Sequence, residues 1–314
     1  MVLAPRHQFR SLEFSLLEIA LSSTLIIITI LLTLLGNVLV LLAFKGNWRI
    51  RTTTNFFVSS LALTDILVAV VVMPFWVSYI SSRIFNVIAQ RIWTWTDILC
   101  GIASIWHLTF ISVDRYFCIV SPLKYHTLVT HSRVLVTIVG IWVYSIVSSS
   151  LSQTLWSWSG YTLLLFINNF VIPTFIILVM YFNIFRKARY QARQIDMTIN
   201  GKVKKFFLKK ELKAAKTLAI VIGAFLITWA PFFAVNLHYY VCGCRPMPFV
   251  VIAIKTMHYG NSMTNPVIYG VFNRDFKNEF KKLLTKCFSF MFKRDLNIHD
   301  KSTKSCVRSE ISPQ

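Results

Sequence analysis

Residues 92–119 read IWTWTDILCGIASIWHLTFISVDRYFCI. Asp97, Asp114 and Arg115 are the charged residues in this otherwise apolar stretch. At ~1.5 Å rise per residue a helix of this length crosses a bilayer core of ~30 Å. Asp97 and Arg115 are 18 residues apart, which is five turns at about 3.6 residues per turn, or ~27 Å. They therefore share a face near opposite membrane boundaries, with Ser104 and Ile111 close to the same stripe. Ionisable groups inside a bilayer are costly, so each needs a partner or a role. An acid near one boundary and a base near the other suit a helix that communicates between two sites.

The flanking sequence repeats the pattern. Apolar blocks cover roughly 21–44, 55–80, 92–119, 134–156, 161–185, 215–240 and 249–271, in a chain of 314 residues that is 55% hydrophobic and 14% charged. A soluble domain carries about 25% charged residues. The expected fold is an all-α membrane protein, a seven-transmembrane helix bundle. Its parts are an extracellular segment over 1–20, the bundle over 21–271, a surface helix over 272–286 and a cytoplasmic tail over 287–314. The surface helix is read from NRDFKNEFKKLL (Asn273–Leu284), in which Phe276, Phe280, Leu283 and Leu284 recur at helical spacing among basic residues. That pattern suits a short amphipathic helix lying on the membrane. The third inner loop, about 187–212, is the one long enough for a free segment.

The formal charge of +21 is distributed by side rather than by domain. With the odd-numbered loops and the tail inside, 27 of the 33 Lys and Arg are cytoplasmic. The positive-inside rule then places the N-terminus outside, in a multi-pass protein of the plasma membrane. Basic juxtamembrane segments sit against anionic lipid, so membrane lipid is the partner implied and nucleic acid is not. No cleavable signal peptide is evident, and the first span is expected to serve as its own signal anchor.

Other polar residues fall at telling depths. Glu211 and Trp229 are 18 apart in the sixth span, which puts Glu211 at the cytoplasmic end, level with Arg115. Asp114 is the second candidate partner for that arginine. Asn37, Asp65, Ser104, Asn261, Ser262 and Asn265 gather one acid with neutral oxygen-bearing side chains. This set suits a sodium-like cation or a water-filled hydrogen-bond network. Pro74, Pro173, Pro231 and Pro266 supply kinks in four spans. Cys242 and Cys244 lie in an outer loop where a disulfide would persist, although a ring this short leaves two free thiols as an open alternative. Cys287, just past the surface helix, is a candidate for palmitoylation or a free thiol.

Together these residues resemble the rhodopsin-like (class A) G-protein-coupled receptors over about 30–285. The motifs are GNVLV (Gly36–Val40), LALTD (Leu61–Asp65), DRY (Asp114–Tyr116), Trp142, Pro173 with Tyr181, FLITWAPFF (Phe225–Phe233) and NPVIY (Asn265–Tyr269). The likeness is to the aminergic branch, nearest the trace-amine and serotonin receptors from HLTFISVDRY and KAAKTLAIVIGAFL. It implies an extracellular amine bound at Asp97, with Cys100, Gly101, Asn169, Trp229, Phe232, Phe233, Asn236 and Tyr259 around it. A carboxylate ringed by aromatic faces is a cation site on physical grounds as well. It further implies a signalling switch of Asp114, Arg115, Tyr116, Tyr181, Glu211, Pro231, Asn265, Pro266 and Tyr269. The implied partners are a heterotrimeric G protein, arrestin and a receptor kinase, with no cofactor beyond an allosteric sodium ion near Asp65.

The sequence also departs from the family pattern. Gln90 stands where the family has the third-helix cysteine, and the outer loop at about 155–161 has no cysteine, so the disulfide over the pocket cannot form. Leu165, Phe166 and Asn169 replace the fifth-helix hydroxyls expected for a catechol. Thr256 and His258 stand in place of the family's tryptophan and glycine, and Lys255 brings a positive charge that would repel an amine, attract an acidic group, or snorkel outward. The alternative reading is an orphan or degenerate receptor with a non-amine ligand or a constitutive or decoy role. A retinal pigment would need lysine where Tyr259 stands. A transporter would show internal repeats, and an enzyme a nucleophile–base set; neither is found.

Overall fold

The computed structural model describes residues 14–81, 86–154, 159–195, 201–244, 246–286 and 289; the side chains of 191–195 and 201–218 lie outside the described set. The first span is the helix Leu16–Gly46, which starts five residues before its apolar block. A capping box explains the early start: the Ser15 hydroxyl accepts from the Glu18 N–H, and the Glu18 carboxylate accepts from the Ser15 N–H at 2.8 Å. Part of the segment expected to be an extracellular tail is thus helix.

The second span, Thr53–Ser81, and the fifth, Ser159–Phe166 continuing to Ile195, each contain one π-helical turn. These turns are Val68–Val72 and Ile167–Val171, each straddling the residue four before a proline, Pro74 or Pro173. Proline lacks an N–H and its ring crowds that carbonyl, so the backbone widens there. Pro231 and Pro266 instead sit inside unbroken α-helix in the sixth span, Gly201–Cys242, and the seventh, Pro248–Phe272. The fifth helix reaches Ile195 and the sixth begins at Gly201, so most of the inner stretch expected to be free is helical.

Six helices are long and apolar enough to cross a membrane among the described residues. The seventh, at 25 residues, is long enough, but Lys255, His258, Asn261, Ser262 and Asn265 lower its hydropathy. All five are buried, so this polarity faces the bundle and not the lipid. The third span, Val87–Val120, is the axis: 78% of its most apolar stretch is buried, against 22% in the fourth span, His131–Thr154. It packs on the second, fourth and fifth spans, while the first and sixth pack on the seventh. After an extended residue at Asn273, helix resumes over 274–286. Phe276, Phe280 and Leu283 of this helix pack onto the bundle core, while Leu284 stays exposed.

Candidate functional site

The third and seventh spans bring Asp97 and Lys255 together at the outer end. The ammonium Nζ lies 2.8 Å from Asp97 Oδ2 and 3.3 Å from the Tyr259 hydroxyl, and both charged residues are buried. Lys255 therefore neither snorkels outward nor stands apart from the site. It points inward because Asp97 offers an opposite charge at the same depth, where the low dielectric strengthens the attraction. Rings surround it: Trp93, Phe232, Tyr259 and Trp76 have centroids 5.2, 5.3, 5.1 and 5.9 Å from Nζ. The aromatic cage expected for a ligand cation thus holds the chain's own cation.

Beneath the pair, Trp229 packs on His258 with ring centroids 4.1 Å apart, on Phe233 at 5.7 Å and on Phe232 at 6.1 Å. Gly101 makes room for the indole: a Cβ there would lie 2.9 Å from Trp229 Cη2. Cys100 is a buried free thiol in the core cluster of Trp76, Trp93 and Tyr259. Two expected ligand contacts turn elsewhere. The Asn169 side-chain oxygen accepts from the Trp106 indole at 3.3 Å and the Tyr144 hydroxyl at 3.2 Å, toward the third and fourth spans. Asn236 donates back to its own helix at the Phe232 carbonyl, 2.6 Å away. At the outer end of the sixth span, Cys242 and Cys244 are joined by a disulfide, with Gly243 at φ +68° taking the turn. The outer-loop residues 155–158 and the palmitoylation candidate Cys287 lie outside the described residues.

Midway through the bundle, Asp65 Oδ2 accepts from the Asn265 amide at 3.0 Å. Asn37 donates to the Ser262 carbonyl at 3.1 Å, and Thr228 to the Asn261 side chain at 3.3 Å. Ser104 is buried in the same region. The side-chain oxygens Asp65 Oδ1 and Asn265 Oδ1 are buried with no hydrogen-bond partner among the described residues. Two such acceptors, one of them a carboxyl oxygen, form a ligand set that fits a small cation.

At the inner end Asp114 is a hub. It accepts from the Thr54 hydroxyl at 2.5 Å, the Tyr125 hydroxyl at 2.9 Å and the Arg115 guanidinium at 2.7 and 3.0 Å. Arg115 also donates to Thr54. Of its two expected partners Asp114 is engaged, while the Glu211 side chain lies outside the described residues. Tyr125 belongs to the inner-loop helix Pro122–Leu128. Burial pushes its phenol up to about 12, so it stays a donor at physiological pH. Tyr116 packs at the base with Ile119 and Ile184. Tyr181 joins the core, and Tyr269 stacks on Phe276 at 5.8 Å.

Several participants escaped the sequence reading. Trp76 and Trp93 complete the cage, Thr53, Thr54 and Tyr125 complete the hub, and His107 is the centre of a further buried network. Only position along a span could have signalled Trp76, Trp93, Thr53 and Thr54, and Tyr125 lies in the inner-loop helix with no motif of its own. His107 gave a signal as an ionisable residue in mid-membrane.

A membrane-spanning bundle with an outer charged cage, a polar middle and an inner acid–arginine hub defines a seven-span receptor, a non-enzymatic signalling protein. The chain belongs to the rhodopsin family of seven-transmembrane receptors, which it matches over residues 36–269. It is 36% identical to the histamine H2 receptor of Cavia porcellus over 296 residues, 87% of this chain and 81% of that receptor. The human histamine H2 receptor is likewise 36% identical, over 82% of this chain and 77% of its own length. The octopamine receptor beta-2R of Chilo suppressalis is 32% identical over 87% of this chain and 82% of its own. The aminergic branch is thus supported, with histamine and octopamine receptors among the relatives and no specific likeness to the trace-amine and serotonin types shown. The chain is a multi-pass plasma-membrane protein of this class.

Proposed function

We propose that this receptor detects an extracellular biogenic or trace amine at Asp97 and passes the event to a heterotrimeric G protein around Arg115. The observation that carries the ligand half is the buried Asp97 carboxylate, paired with an ammonium that Tyr259 and Phe232 already cage. Whatever its natural ligand, this site holds an ammonium. Trp229 and Phe233 would form its floor, with Cys100 and Gly101 behind them. The Asn169 side-chain oxygen and the Asn236 amide nitrogen would reach the ligand only by exchanging their present bonds.

For the coupling half, support comes from the Asp114–Arg115 pair, tied by Thr54 and Tyr125 to the second span and inner loop. A ligand that favours an arrangement in which Arg115 is released shifts the population toward it. Tyr116, Tyr181, Glu211, Pro231, Asn265, Pro266 and Tyr269 are assigned to the same switch. Asp65, with Asn265, Asn261, Ser262 and Ser104, would hold a sodium ion. Arrestin, a receptor kinase and membrane lipid are the further partners.

An amine panel on wild type and Asp97→Ala tests the reading. Losing a buried, hydrogen-bonded charge partner should cost about a hundredfold or more in potency; equal responses from both would refute the amine assignment. The second reading, a receptor with a non-amine ligand or a constitutive role, is favoured by one observation: Lys255 already neutralises Asp97.

A further inference from the structure

Lys255 changes what the outer site can select. A simple monoamine approaching Asp97 meets a carboxylate whose charge is already matched at 2.8 Å. To bind, it must displace the Lys255 ammonium, and that ammonium then stands buried without its counter-charge. Separating one member of a buried ion pair and leaving it uncompensated is strongly unfavourable. A ligand that brings its own anion avoids this. Its ammonium takes Asp97, its acid group takes Lys255, and both buried charges stay paired.

The surroundings of the pair point the same way. Trp76 is fully buried in the cage wall, 5.9 Å from Nζ, and its indole N–H has no hydrogen-bond partner among the described residues. The indole N–H of Trp229, directly beneath, is in the same condition. The Tyr259 hydroxyl accepts from Nζ at 3.3 Å, which leaves its own O–H to donate, so the site is rich in donors. Acid oxygens accept from such groups; an ammonium cannot. His258, tilted against Trp229 with ring centroids 4.1 Å apart, adds a further polar group to the floor.

We infer that the Asp97–Lys255 pair makes this a receptor for a zwitterionic amine, one carrying an acid group close to its ammonium, and that Lys255 is the residue selecting it. This rests on the Asp97 reading above and narrows it. The decarboxylated amine, with the same aromatic body and the same ammonium, is the weaker ligand.

The test compares matched pairs on the full-length receptor in lipid nanodiscs: histidine with histamine, tyrosine with tyramine, tryptophan with tryptamine. Binding is read as ligand-induced thermal stabilisation. For at least one pair, wild type should bind the amino acid ten or more times tighter than its amine, on the order of what one uncompensated buried charge imposes. Lys255→Met should reverse that order. Lys255→Gln, which keeps a hydrogen-bonding side chain beside Asp97, should abolish the preference if the methionine variant fails to fold. Wild type binding the amines as tightly as the amino acids overturns the inference irrespective of any variant. If Asp97→Asn abolishes amine binding while the lysine variants leave the ratio unchanged, the zwitterion inference fails and the amine reading stands. If Asp97→Asn changes nothing, or no member of any pair binds wild type or variant, both fall.

Discussion

Gly36 of the first span and Pro266 of the seventh are in direct contact: a Cβ on Gly36 would lie 2.6 Å from Pro266 Cβ and 2.8 Å from its Cγ. One contact thus gives a physical reason for two motifs, GNVLV and NPVIY, that lie more than two hundred residues apart. Close approach here lets Asn37, the next residue, reach the Ser262 carbonyl and joins the first span to the polar middle.

Gly36→Ala weighs two opposing effects. Alanine gains about 1 kcal/mol of helix propensity over glycine. Overpacking against a rigid pyrrolidine ring costs about 1–3 kcal/mol and cannot be relieved by a rotamer change. The expected outcome is a net loss, seen as a lower melting temperature in detergent and reduced surface display. Gly140, which faces open space, should tolerate the same substitution.

Asp114 and Tyr125 make separable predictions at the inner end. Asp114→Asn removes the charge that holds Arg115, so ligand-independent nucleotide exchange on the G protein should rise several-fold. Tyr125→Phe deletes one neutral donor to the same carboxylate, a contribution of about 1 kcal/mol. Its effect on basal exchange should have the same sign and be smaller. An unchanged basal rate in Asp114→Asn would mean that the pair does not restrain the receptor.

The spans, their order and the depth of Asp97, Arg115 and Asp65 were legible because bilayer thickness and helical pitch leave few choices. Lys255 was not, since a lysine near a membrane boundary has two low-cost solutions, outward to the headgroups or inward to an acid. Which one wins depends on the distance to Asp97, a tertiary fact. Asn169 sits at an expected binding depth, yet Trp106 and Tyr144 take its oxygen. The early helix start is written in Ser15 and Glu18, a capping box that lies outside the apolar block and so leaves no mark on hydropathy.

His107 was passed over because a lone histidine carries no motif. It is fully buried and satisfied at both ring nitrogens. Nδ1 lies 2.6 Å from the Ala103 carbonyl and Nε2 2.8 Å from the Ser60 hydroxyl, which also accepts from the Trp142 indole at 3.0 Å. Ser60→Ala strands the buried His107 nitrogen, costing about 1–3 kcal/mol, and the half-buried Trp142 indole N–H at a smaller cost. Thermal unfolding of the purified receptor should show a clear loss, and Trp142→Phe in the same background should recover part of it. Additive losses would mean that the groups are not coupled.

Gly101→Ala probes the floor of the outer site. The added methyl meets the far edge of Trp229, a rigid ring held by His258 and Phe233. The indole must shift by a few tenths of an ångström, and ligand potency should change while surface display holds. Unchanged potency would place Trp229 outside the ligand's reach.

Glu279 controls how the surface helix docks. Its carboxylate accepts from the Asn47 amide at 2.9 Å and from the Lys282 ammonium at 2.7 Å. The Lys282 bond holds the carboxyl below its ordinary value. A depressed folded value means that the stabilisation is fully present above the ordinary carboxylate range and is lost as pH falls through the folded value. Docking should therefore be insensitive to pH near neutrality and loosen only in acid. Hydrogen exchange of the 274–286 amides reads this directly. Glu279→Gln should raise exchange at neutral pH and remove the acid-dependent step. Equal protection in both proteins at neutral pH would assign the docking to Phe276 and Phe280 alone.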